Sequence, residues 1–186
     1  MDAGKVKRVA VIGAGPVGCL NVQLAKGCGA AKTILIDVSP ERLTMSKLAQ
    51  ADVYVNSRQE DAVKRVMAET KGLGADVVIV ACSAGPAQEQ ALLMVAKRGV
   101  VNFFGGLPKD KPAINFDSNL LHYREFYVVG NHGSAPRHNA MALSIIGAGK
   151  IDTRSLVTHR LPIDKTLDGI GITERAEGLK VIISGV

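Results

Sequence analysis

Gly13, Gly15 and Gly18 stand in the run Gly13-Ala14-Gly15-Pro16-Val17-Gly18, and Asp37 follows 24 residues after the first of them. Such a set could hold a dinucleotide. Gly13 permits a tight turn, Gly15 lets the backbone approach a pyrophosphate with no Cβ between, and Gly18 lets the following helix pack closely on the sheet. The phosphates would meet the unpaired N–H groups and the positive dipole end of that helix. Asp37 is placed to accept hydrogen bonds from the adenosine ribose hydroxyls. Its charge also sets a preference. NADP carries a 2′-phosphate where NAD has a hydroxyl, and one like-charge pair at about 4 Å and an effective dielectric near 20 costs roughly 4 kcal/mol before screening. NAD is therefore the expected cofactor, with Arg42 able to offset part of the repulsion.

These residues work together only if the chain around them runs strand, turn, helix, strand. The pattern predicts strands over 8–12 and 33–37 with a helix over 16–28 between them. Ser39-Pro40-Glu41 reads as an N-cap with proline at the first helical position, opening a helix to about Gln50. A short strand over 53–55, a helix over 60–70 and a strand over 76–81 follow, broken by Gly72 and Gly74. Pro86 opens a helix that Gly99 is expected to close, and strand 100–104 ends at Gly105-Gly106-Leu107-Pro108. A short helix near 118–123 and a strand over 126–129 complete the set.

Short strands joined by crossover-length helices imply an α/β fold: a doubly wound, parallel Rossmann sheet of order 3-2-1-4-5-6 with helices on both faces. A ligand would lie at the C-terminal ends of the strands. That rule gathers Gly13–Gly18, Asp37, Ala81–Ala84, Phe104–Leu107 and Gly130–His132 on one rim. Beyond residue 133 the pattern loosens into a helix over 136–146, a strand over 157–162, a helix over 164–172 weakened by Gly169 and Gly171, and a strand over 179–183.

Composition excludes several classes. The net charge is +6, yet lysines and arginines are spread singly and aromatics are 4%, which argues against a nucleic-acid partner. Apolar content of 47% and charged content of 22% fit a globular protein. The longest apolar run, Val77–Cys82, is too short to cross a membrane. Met1-Asp2 is followed by no apolar export segment, and Cys19, Cys28 and Cys82 are scattered as free thiols would be in a reducing cytoplasm.

The segments VIGAGPVGCLNVQLAK, DVSPERL, GADVVIVACSAGPAQEQAL, RGVVNFFGGLP, NLLHYREFYVVG and GKIDTRSLVTHRLPID together resemble the medium-chain, zinc-type alcohol and polyol dehydrogenases. FFGGLP and NLLHYRE look most like the sorbitol (L-iditol) and threonine dehydrogenase branch. The resemblance implies an NAD-dependent enzyme acting on a small alcohol or polyol. It implies that Gly13, Gly15, Pro16, Val17 and Gly18 hold the pyrophosphate, that Asp37 binds the adenosine ribose, and that Arg42 lies beside it. Cys82 and Ser83 would line the adenine side, Gly106 and Leu107 would approach the nicotinamide ribose, and Asn131 and His132 the carboxamide end. It also implies a homo-oligomer paired through the edge of strand 6.

Two departures stand out: the family usually carries Glu near Val80, and GIGIT replaces a more apolar helix near the C-terminus. A third is larger. The family's zinc sits in an N-terminal catalytic domain, for which the residues before Arg8 are expected to leave no sequence. Residues 1–154 then read as the NAD-binding domain, and residues 155–186 as a segment that in the family returns to the catalytic domain. His122, His132, His138 and His159 show no zinc spacing, and no Tyr-x-x-x-Lys or phosphate-binding P-loop is present. The expectation is a cofactor half that binds NAD and does not catalyse alone. A non-enzymatic NAD-responsive module is the alternative; an FAD half-domain and a methyltransferase fit less of the chain.

Overall fold

A computed structural model describes residues 8–185. Met1 and Asp2, read above for an export segment, lie outside them. Strand β1 (Arg8–Ile12) is the centre of the molecule, because its apolar run is buried on both faces, as a parallel strand between two helical layers requires. It pairs in parallel with β2 (Lys32–Asp37) on one side and β4 (Ala75–Val80) on the other. Outside these lie β3 (Val53–Asn56), β5 (Val95–Phe103) and β6 (Tyr127–Gly130), giving the order β3-β2-β1-β4-β5-β6. This is the doubly wound Rossmann topology expected from the pattern, with its reversal between β1 and β4.

Strand alternation sorts the core into two layers. Ala10, Ile12, Ile34, Ile36, Val78 and Val80 meet α3 (Ala62–Glu69) and α4 (Gly85–Met94) through Ala62, Val66, Ala91 and Leu92. Val9, Val11 and Leu35 meet α1 (Pro16–Gly27) and α2 (Pro40–Met45) through Cys19, Val22 and Leu43. Each large side chain so buried contributes about 1.5–3 kcal/mol, which makes the sheet's centre the rigid frame behind the glycine turn.

After the short helix α5 (Ser118–Arg124), β6 and α6 (Pro136–Gly147) bury none of their residues. The tail forms a second, two-stranded parallel sheet from β7 (Val157–Pro162) and β8 (Lys180–Ser184), with α7 (Thr166–Glu174) against it. Gly169 lets α7 close on that sheet, since a Cβ there would sit 2.9 Å from Ile183 Cδ1. The tail exposes Ile163 and Leu167, yet Leu156 and Leu179 are only 3% and 6% exposed within the α1–α2 layer. Gln23 of α1 ties the approach to β7 by bonding both the carbonyl and the N–H of Asp152, at 3.3 and 2.7 Å.

Two expected elements are corrected. The helix opened near Pro86 ends at Met94, not Gly99, and β5 begins at once with Val95. The extra residues are taken up by a register shift between Ala75↔Val95 and Val77↔Val100, where Arg98 adopts φ +59°. The helix over 40–50 is an α-helix only to Met45. It tightens into a 3-10 turn over Ser46–Ala49 and ends with Gln50 at φ +55°. Among the described residues no helix is long and apolar enough to cross a membrane.

Candidate functional site

The glycine turn leaves β1 and enters α1 at the point where the strand order reverses. Gly13 adopts φ +110° and donates its N–H to the Ile36 carbonyl at 2.8 Å, and a Cβ on it would press on the Ala81 carbonyl at 2.9 Å. Gly18 is needed for a different reason than packing on the sheet alone. A Cβ there would overlap the Gly13 carbonyl of the turn itself, with Val11 of β1 behind it. Gly15, by contrast, faces space with no protein atom within 4 Å of the missing Cβ. It is the N-cap of α1, has no side chain to cap the helix, and is followed by Pro16, which has no N–H to satisfy. The N–H groups of the first turn thus remain for an anion, and no acid in that turn opposes one. Val17 beside them is partly exposed.

Asp37 ends β2 opposite this turn. Its Oδ2 accepts the Ala14 N–H at 2.7 Å and its Oδ1 accepts the Ser39 N–H at 2.8 Å. Each oxygen keeps a further lone pair for a hydroxyl donor. Ser39 in turn caps α2 by accepting the Arg42 N–H at 3.1 Å. A crevice of about 360 Å³ brings together Ile12, Gly13, Asp37, Val38, Ser57, Cys82, Ala84, Pro86, Ala87 and Gln90. Burial pushes the Cys82 thiol up from its ordinary pKa.

The other expected site residues fall into two groups. Ser83 adjoins Cys82 on the turn after β4 and is exposed. Gly106 and Leu107 follow β5, and Asn131 and His132 follow β6, on the same C-terminal rim but outside the crevice. Arg42 donates its Nη1 to the Gly178 carbonyl at 2.8 Å and is not among the residues that line the crevice. The carbonyl just before β8 offers a fixed acceptor, which a solvated guanidinium lacks.

Sequence reasoning overlooked Val38, Ser57 and Gln90. Ser57 was legible in principle, because it follows β3 on the rim, and its N–H is fixed by the Asp37 carbonyl at 3.0 Å. His138 caps α6 by accepting the Ala135 N–H at 3.1 Å. Among the described residues, no group of three or more His, Cys, Asp and Glu is placed to hold a metal ion.

A crevice at the reversal point of such a sheet defines a Rossmann domain. The description of zinc-binding dehydrogenases matches residues 16–146, and the chain belongs to that family, of which it carries the cofactor-binding domain. It is 29% identical over 180 residues to a sorbitol dehydrogenase of Halalkalibacterium halodurans, covering 96% of this chain and 52% of the relative. It is 34% identical over 155 residues to an L-threonine 3-dehydrogenase of Pyrococcus furiosus, covering 83% and 44%. Alcohol dehydrogenase TADH from Thermus sp. ATN1 superposes with a TM-score of 0.88 at 30% identity, over 96% of this chain and 51% of that one. The chain spans about half the length of the curated relatives it matches.

Proposed function

We propose that this chain is the NAD(H)-binding domain of a zinc-dependent sugar-alcohol dehydrogenase of the sorbitol or L-iditol type. The observation that carries the proposal is that Gly13, which opens the turn into the uncapped α1 start, and Asp37, with both oxygens poised for further bonds, line one crevice. The open space before Gly15 fits a pyrophosphate, and Gly13, Gly15, Pro16, Val17 and Gly18 would hold it. Asp37 would receive the adenosine ribose, with Cys82 and Ser83 on the adenine side. Gly106, Leu107, Asn131 and His132 would face the nicotinamide end. When bound, the nicotinamide supplies a hydride acceptor for an alcohol carbon. This chain's part is to fix the ring's position and to keep water from the adenosine half. No set of described residues fits zinc, so the metal and the substrate alcohol belong with a catalytic domain, toward which the segment from residue 155 would return.

The sorbitol dehydrogenase match supports a polyol substrate, and the threonine dehydrogenase match keeps other small alcohols in view. A second copy is proposed at the open edge of β6, where Tyr127, Val128 and Val129 are exposed. The three free thiols support a reducing, cytoplasmic setting.

Isothermal titration of NAD and NADP into the wild type, Asp37→Asn and Asp37→Ala tests the reading. NAD should bind the wild type better than NADP. Asp37→Asn, which keeps an acceptor for Ala14, should weaken NAD about tenfold and narrow the gap to NADP. Folded protein that binds neither cofactor, or prefers NADP, would overturn it.

A further inference from the structure

Gln88 lies in the second turn of α4 and is 5% exposed, an unusual burial for a side-chain amide. A polar group so placed costs stability unless it is bonded. Its Nε2 donates to the Gly105 carbonyl at 3.1 Å. The same residue is held from two other sides. The Gly105 N–H donates to the Val80 carbonyl at 2.9 Å, and its Cα presses so close to the Cys82 carbonyl that any side chain there would collide with it. The turn after β5 is thus clamped to the turn after β4, and Gln88 is the only side chain that hydrogen-bonds the Gly105 carbonyl among the described residues. Its neighbours Ala87 and Gln90 line the crevice, while Gln88 is buried behind them.

We infer that Gln88 is a positioning residue for the nicotinamide half of the cofactor, acting through the Gly105-Gly106-Leu107 turn. This rests on the NAD-binding reading above. Gly106 carries no side chain and has no protein atom within 4 Å of the missing Cβ, so its backbone is open to a ligand. Where that backbone stands depends on the preceding peptide, whose carbonyl Gln88 holds. Without the bond the turn keeps its anchor to Val80 and gains freedom on the side of Gly106. The adenosine half, held at Asp37 and Gly13, is untouched by the change.

The test compares NAD with ADP, which lacks the nicotinamide and its ribose, in the wild type, Gln88→Met and Gln88→Glu. Both variants keep the side chain's length; Gln88→Met removes the donor, Gln88→Glu keeps one only when protonated, and a thermal melt establishes that each is folded. Gln88→Met should weaken NAD about three- to tenfold, the size of one net hydrogen bond, and change ADP less than twofold. Amide exchange at residues 105–107 should quicken in the same variant without ligand. Equal loss for both ligands, or no loss of NAD and unchanged exchange, would overturn the inference. A wild type that binds neither ligand would defeat the site reading, and the inference with it, which is a different outcome from a wild type that binds and a variant that matches it.

Discussion

The three thiols show how burial by single residues sets chemistry. Cys19 is fully enclosed on the inner face of α1, and desolvation pushes its pKa up to about 11 despite the nearby charge of Arg42. Its thiolate is therefore scarce at neutral pH, and packing is its role. Cys28 is exposed beyond the end of α1, and Cys82 is half-buried in the crevice. A disulfide-exchange reagent at pH 8 should label Cys28 first and Cys82 more slowly. Saturating NAD should slow Cys82 several-fold further, and Cys19 should label only on unfolding. Peptide mapping of the time course checks the order; NAD without effect on Cys82 would remove that residue from the adenine side.

Asp52 shows how elements are joined. Burial pushes its carboxyl up, but bonds from Lys26 of α1 at 2.8 Å and from the N–H and hydroxyl of Thr33 of β2, each at 2.7 Å, more than offset this and hold it below the usual range. With the folded pKa depressed, the stability contributed is present above the unfolded value of roughly 3.9 and is lost as pH falls through the folded one. Asp52→Asn should cost about 1–2 kcal/mol in urea unfolding at pH 7. The gap from wild type should narrow as pH falls below the unfolded value of roughly 3.9 and close below the folded one; a gap constant with pH would show that charge is not the cause. Such elements differ in how plainly the chain announces them. The β1–α1–β2 unit was legible because Gly13, Pro16 and Asp37 punctuate it. The α4–β5 junction was not, because Val95-Ala96-Lys97-Arg98 contains no breaker and continues a helical pattern. The chain turns there because Val95 pairs with Ala75, a long-range contact that local pattern does not encode. The Arg42 bond to Gly178 was not legible for the same reason, since its acceptor lies 136 residues away.

At the scale of the whole molecule, the described structure is well buried at the centre and bare at one end. Tyr127, Val128 and Val129 on β6, with Met141 and Leu143 on α6, are all exposed. A strand edge that exposes apolar side chains is a template for pairing. Sedimentation at tens of micromolar should show self-association, and Val129→Lys should return a monomer with an unchanged melting temperature; a monomeric wild type would exclude the edge as an interface. The opposite end carries a quieter consequence. Leu156 and Leu179 fill the layer beneath α2, and the Arg42–Gly178 bond ties that helix to the tail. Anyone transplanting this domain as a cassette, or dating an ancestral fusion by its seams, would be tempted to cut at residue 154. The cut would open the floor under the very helix that Ser39 and Asp37 begin, so the smallest portable unit runs nearly to the end of the chain.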